Sequence, residues 1–115
     1  MSGYFRPGAG ELRNLITIGR TLARTNENGY PYGVDEAIAT TYAAARDASA
    51  KEMYEAAARQ IEGVINFTIR YREGIREGMW VQYRGEKLRI MQVNDRDHRR
   101  DFLTLKCCET RRTSG

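Results

Sequence analysis

Between Phe67 and Glu109 the chain repeatedly alternates apolar and polar residues, and each alternating run is broken by a short turn signal. That is the pattern of antiparallel strands with one buried face, because successive side chains in a strand point to opposite sides. Ile65, Phe67, Ile69 and Tyr71 share one face, with Asn66, Thr68, Arg70 and Arg72 opposite. Met79, Val81 and Tyr83 share the next, with Trp80, Gln82 and Arg84 opposite. A tight turn at Arg84-Gly85-Glu86 follows, where glycine supplies the positive φ of a short hairpin loop. In Lys87–Asn94, Leu88 and Ile90 point one way and Met91 and Val93 the other, so this strand is expected to be covered on both faces. After the polar break Asn94–Asp101, Leu103, Leu105 and Cys107 fall together, opposite Phe102, Thr104, Lys106 and Cys108. Such a run of hairpins closes into a small barrel or a rolled sheet. Phe67, Ile69, Tyr71, Val81, Tyr83, Ile90 and Leu105 are its expected core.

Upstream, a first strand is predicted over Asn14–Arg24, with Ile16, Ile18 and Leu22 on one face. Thr25–Glu36 reads as a loop, since Asn28-Gly29, Pro31 and Gly33 all favour turns. Its tyrosines, Tyr30 and Tyr32, are candidate interface contacts, although packing against the barrel is the favoured reading. A second strand is predicted over Ala37–Arg46. Its alanines would suit a helix as well, so Ile38, Thr40, Thr41 and Tyr42 carry the strand assignment. Ser49-x-x-Glu52 is a capping box that starts a helix. Met53, Ala57 and Ile61 form its expected apolar stripe, Glu55 and Arg59 an i,i+4 pair, and Gly63 its end. The predicted fold is mainly β: a small antiparallel barrel of about six strands with one helix between the second and third.

The 115 residues suffice for a single domain and one modest core, over 1–115. Residues 1–10, which show no periodicity, are expected to be a flexible N-terminal arm, and 110–115 a basic C-terminal tail. At 41% hydrophobic and 30% charged residues the chain is of ordinary globular composition. No apolar run is long enough to span a bilayer, and MSGYFRPGAG lacks the layout of a signal peptide, so a soluble chain not secreted by that route is expected. Cys107 and Cys108 are adjacent, which excludes a staple across the fold; both read as reduced, structural thiols.

The net charge is +4. Residues 1–60 hold seven basic and seven acidic residues and 61–115 hold twelve and eight, so the excess lies in the second half, near Arg96, Arg99, Arg100, Arg111 and Arg112. A surface facing a polyanion and a solvated loop with a basic tail fit equally, because Asp95, Asp97 and Asp101 are interleaved. Catalytic signals are thin. His98 is the only histidine and reads as an exposed turn residue beside Asp97. No P-loop, dinucleotide fingerprint or CxxC occurs, and Glu73 and Glu77 sit in a turn beside Arg72 and Arg76. The reading is a non-enzyme with no cofactor and no metal. A nucleic-acid-binding barrel is the alternative, with Trp80 stacking on bases and Arg70, Arg72 and Arg84 on phosphates.

The ordered set Phe67, Ile69-Arg70-Tyr71-Arg72, Ile75, Met79, Val81, Tyr83-Arg84-Gly85, Ile90 and Val93, ending in an apolar strand with Cys and Glu, resembles the head–tail joining, or head-completion, proteins of long-tailed phages. Ile16-Thr17-Ile18, Tyr42-Ala43-Ala44 and Ser49-x-x-Glu52-x-Tyr54-x-Ala56 precede it in the order that family shows, so the resemblance spans about Leu12 to Glu109. It implies a virion neck protein, assembled in the bacterial cytoplasm, that forms a ring of twelve or six copies. Its implied partners are a portal-associated adaptor, tail or tail-completion proteins and packaged DNA held without sequence preference, with no membrane. A neighbouring tail-completion component is a related possibility. The resemblance puts Ser49–Gln60 on the channel side, with Ser49, Lys51, Glu52, Glu55 and Arg59 as its polar residues. A helix packed across the barrel mouth is the other reading. Tyr4 and Phe5 are implied anchors, unless the arm is a mobile tail. Trp80, Arg99 and Arg100 complete the candidate interface.

Overall fold

In a computed structural model of the chain, residues 7–8, 10–95 and 98–110 are described. Six strands, β1 (Asn14–Thr25), β2 (Pro31–Asp47), β3 (Ile65–Arg70), β4 (Trp80–Tyr83), β5 (Glu86–Asn94) and β6 (Phe102–Glu109), close an antiparallel barrel in the order β1-β2-β3-β6-β5-β4. One helix, α1 (Ala50–Ala58), lies between β2 and β3. The predicted fold class and the strand–helix order hold.

The alternation works as the sequence implies. Phe67, Ile69, Val81, Ile90, Leu105 and Cys107 are fully enclosed with Ile16 and Ile18, while Tyr71 and Tyr83 lie partly buried against them. Tyr83 meets Phe67 edge-on at 5.0 Å between ring centroids, an arrangement that suits the aromatic quadrupole. Arg84 and Gly85 both have positive φ, 51° and 81°, so the β4–β5 turn is the primed type that matches strand twist.

Several expectations change. Thr25–Glu36 is not a loop: β1 and β2 pair from Asn14↔Ala43 to Thr25↔Pro31, and only Asn26–Tyr30 turns. Asn26 holds that turn, its side-chain oxygen accepting from the amides of Asn28 and Tyr30, each at 2.9 Å. Pro31 is tolerated as the first residue of β2, where a missing N–H costs least.

The distal half of this hairpin, Arg20–Thr25 with Pro31–Ala37, is a two-stranded ribbon beyond the barrel. Six residues at about 3.3 Å each project about 20 Å, and the molecule measures 54 × 31 × 26 Å. Tyr30 and Tyr32 therefore do not lie against the barrel; they are 66% and 49% exposed on the ribbon.

In β5 a register shift between Ile90 and Gln92 restores Val93 to the core side with Leu88 and Ile90. One extra residue reverses the parity of everything after it. In α1 the expected stripe is rotated. Ala56 is the buried residue, whereas Met53 is 61% exposed and Tyr54 79%. The helix docks by its polar Glu52 side, so its apolar residues are not the ones consumed.

The antiparallel register sorts the connections between two ends of the barrel. The ribbon, the β3–β4 connection and the β5–β6 connection share one end, and the helix-bearing segment and the β4–β5 turn leave from the other.

Candidate functional site

Two surfaces carry the residues singled out in the sequence, and the barrel holds them apart. The first is α1. Its start is fixed locally: Ser49 Oγ accepts from the Glu52 amide at 3.2 Å, and the Ser49 amide donates to Glu52 Oε1 at 3.0 Å. Glu52 also reaches the sheet. Asn66 Nδ2 donates to its two carboxylate oxygens at 3.3 and 3.4 Å, and the Lys106 ammonium lies 3.0 Å from Oε2. Partial burial alone would raise the Glu52 carboxyl, but the Ser49 amide and then Lys106 outweigh it and hold its pKa below the ordinary carboxylate range. This one side chain both caps the helix and ties it to β3 and β6.

The other four residues assigned to the channel side, Ser49, Lys51, Glu55 and Arg59, are exposed. Beside them a cleft of about 440 Å³ lies between α1 and β5, and it is lined by Glu52, Glu55, Glu77, Arg59, Arg89 and Lys106 together with Ile61, Val64 and Met91. Three acids face three bases, so the cleft offers no net field to a polyanion. Among the described residues no group of three or more His, Cys, Asp and Glu is placed to hold a metal ion.

The second surface is the ribbon. One face sets Arg20 opposite Glu36, Leu22 opposite Val34 and Arg24 opposite Tyr32, with Arg20 Nε donating to Glu36 Oε1 at 2.7 Å. The reverse face carries Thr21 and Asp35, whose hydroxyl and carboxylate bond at 2.8 Å. The Lys87 ammonium reaches Asp35 from β5 and ties the ribbon to the β4–β5 hairpin. The hydrogen bond from Lys87, then that from Thr21, holds the Asp35 carboxyl below its usual range. Sequence reasoning missed Asp35 and Lys87, which lie 52 residues apart.

Trp80 stands at the root of the ribbon as a packing residue. Its six-membered ring lies against the bare backbone of Gly19, the Lys87 ammonium sits 5.4 Å from its ring centroid, and its indole N–H is enclosed without a hydrogen-bond partner. A base-stacking platform needs an open ring face. Trp80 packs its six-membered ring at Gly19, has a cation over the ring, and keeps its one donor enclosed.

At the same end, the β5–β6 connection places His98 in an exposed turn. Its amide donates to the Asp95 carbonyl at 3.1 Å, and the Arg100 amide donates to Asp95 Oδ1 at 3.1 Å. The Arg100 guanidinium stands 6.0 Å from the centre of the Tyr71 ring, and Arg99 is exposed. Tyr4, Phe5, Arg96, Asp97, Arg111 and Arg112 lie outside the described residues. The His98–Asp97 pairing and the two terminal anchors fall with them.

The cysteines are both buried and free. Burial, and secondarily Cys108 beside it, pushes the Cys107 thiol up to about 12. It is a core thiol, not a nucleophile. No helix among the described residues is long and apolar enough to cross a membrane.

Comparison with known proteins agrees with this architecture. Among solved structures, the solution structure of protein SF1141 from Shigella flexneri 2a superposes with a TM-score of 0.70 at 25% identity, covering 90% of this chain and 96% of that one. No curated protein sequence is a significant match. The family model for phage head completion proteins matches residues 7–111, nearly the whole chain. This chain belongs to the phage head completion protein family.

Proposed function

We propose that this protein completes the phage head as a homo-oligomeric ring in the virion neck. The ring, of twelve or six copies by family analogy, docks on a portal-associated adaptor, retains the packaged DNA and offers a surface to tail or tail-completion proteins. It assembles in the bacterial host cytoplasm. The family match across residues 7–111 is the observation that carries this reading.

The architecture supports it in a second way. A neck component must engage neighbours around the ring and partners above and below, and this barrel exposes apolar residues on two separate elements. These are Tyr30, Tyr32, Val34 and Ile38 on and beside the ribbon, and Met53 and Tyr54 on α1. Exposed apolar clusters of this kind mark interaction sites. In the channel reading Lys51, Glu55 and Arg59 line the DNA path with Ser49, while Glu52 holds the segment against the barrel. The mechanism is multivalent docking and steric closure, with no bond chemistry. Each contact is weak alone and cooperative once the ring closes.

Co-sedimentation with purified portal–adaptor particles tests the reading. Saturable binding at a fixed ratio per particle is expected, and that ratio gives the ring number. Absence of binding overturns head completion and directs the search to tail-side partners.

A further inference from the structure

We infer that the ribbon, Arg20–Thr25 with Pro31–Ala37, pairs edge to edge with the ribbon of a neighbouring copy, so that the ring carries one continuous antiparallel β-belt. The inference rests on the ring-forming reading above and adds to it the surface that joins the copies.

The ribbon has two open edges. β1 pairs with β4 only at Thr17–Gly19, so beyond Gly19 its second edge meets no described strand. β2 pairs with β3 only from Ala44 to Asp47, so from Pro31 to Ala43 its second edge meets no described strand. Closing the barrel removes edges from the body of the molecule; long ones survive on the ribbon. An open edge presents a row of backbone donors and acceptors ready to accept another strand.

Geometry favours a second copy as that strand. One edge of the ribbon is β1 and the other is β2, and the two run antiparallel. Ribbons set side by side therefore bring β2 of one copy against β1 of the next, again antiparallel. That contact joins two different surfaces, and such head-to-tail contacts close into rings when the rotation between copies permits.

The side chains are self-complementary in the register already present within one ribbon. Arg20 lies opposite Glu36, Leu22 opposite Val34 and Arg24 opposite Tyr32. Repeated around a ring, this puts Glu36 between two Arg20 guanidiniums, Val34 between two leucines and Tyr32 between two Arg24 side chains. Each row is matched by charge, apolar contact or cation–π attraction, and no acid meets an acid. The exposed Tyr32 and Val34 gain cover. A contact of about six residue pairs falls well below the roughly 1,200 Å² of a stable pairwise interface. The belt therefore forms on the particle, where closure supplies avidity, and not between two free chains.

The test mixes Leu22→Cys chains with Val34→Cys chains on portal–adaptor particles under mild oxidation, with amide hydrogen exchange followed on the wild-type ring. The expected result is a cross-linked dimer at least tenfold more abundant in the mixture than with either variant alone. Exchange at 20–25 and 31–37 should slow at least tenfold on assembly. Saturable binding with neither effect overturns the belt and leaves the ring intact. Slowed exchange without the cross-link also overturns it, since the adaptor or tail would then supply the added strand. Failure of the wild-type chain to bind overturns the ring reading and the belt together.

Discussion

The six-membered ring of Trp80 occupies the space that a Cβ on residue 19 would need. Gly19 and Trp80 are cross-strand partners where β1 leaves the barrel, and a Cβ there would fall within contact distance of Trp80 Cζ2 and Cη2 and of the Glu36 carbonyl. The β1–β2 register shifts at this point, between Ile18 and Gly19. Glycine is required because ring and backbone close on it from two sides, since its φ is not in the left-handed region.

Gly19→Ala should therefore destabilise the fold by about 1–3 kcal/mol, the usual cost of forcing volume into a packed site. Urea denaturation followed by Trp80 fluorescence measures it. Gly10→Ala is the control, because a Cβ there meets nothing within 4 Å. Equal stability of the two variants would sink the argument.

Glu52 should matter more than its place on a surface helix suggests. Glu52→Ala removes the reciprocal cap and leaves Asn66 and Lys106 without their acceptor. A loss of about 1–3 kcal/mol is expected, whereas Glu55→Ala should cost under about 0.5 kcal/mol. The Glu52 carboxyl titrates below its unfolded value, so its contribution is present above that value and fades as the pH falls through the folded pKa. Acid titration of stability should be flatter in Glu52→Gln than in wild type.

The channel assignment predicts a separation of fold from function. Charge reversal at Lys51 or Arg59, both exposed, should leave the melting temperature within about 2 °C of wild type, since surface substitutions usually stay within about 0.5 kcal/mol. The same variants should yield fewer DNA-filled heads. Wild-type counts of filled heads and infectious particles would remove these residues from the DNA path.

Cys107 predicts behaviour in alkali. Its thiol stays protonated in the folded chain until about pH 12, whereas in the unfolded chain it ionises near pH 8.5. The unfolded state thus sheds its proton first, and stability falls as pH rises between those values. Cys107→Ala, compared with wild type from pH 8 to 11, should show a shallower decline. At pH 8 a maleimide should label neither Cys107 nor Cys108 in the native protein, since both are buried, and both once urea unfolds it.

Much of the barrel was legible in the chain itself. Alternation along Ile65–Tyr71, Met79–Tyr83 and Phe102–Cys108 assigned the inward face residue by residue, because a strand's two faces follow from period two alone. The Arg84-Gly85 turn and the Ser49–Glu52 cap were equally readable, since each is closed by groups within three residues of one another. These features depend on local geometry, so neighbouring residues suffice to specify them.

The remaining features depend on partners far apart in the chain. Asn28-Gly29, Pro31 and Gly33 signal turns, yet six residue pairs, from Arg20↔Glu36 to Thr25↔Pro31, carry β1 and β2 through most of that segment, because hydrogen bonding to a strand across the hairpin outweighs weak local preference. The extra residue in β5 turns Val93 inward, since β6 fixes the register from the other side. Ala56 is buried in place of Met53 because Glu52 binds Asn66 and Lys106 and so chooses which side of α1 meets the sheet. The ribbon has the same origin. Its open edges exist only because β4 pairs as far as Gly19 and β3 as far as Ala44, and no pattern within β1 or β2 records where their neighbours stop.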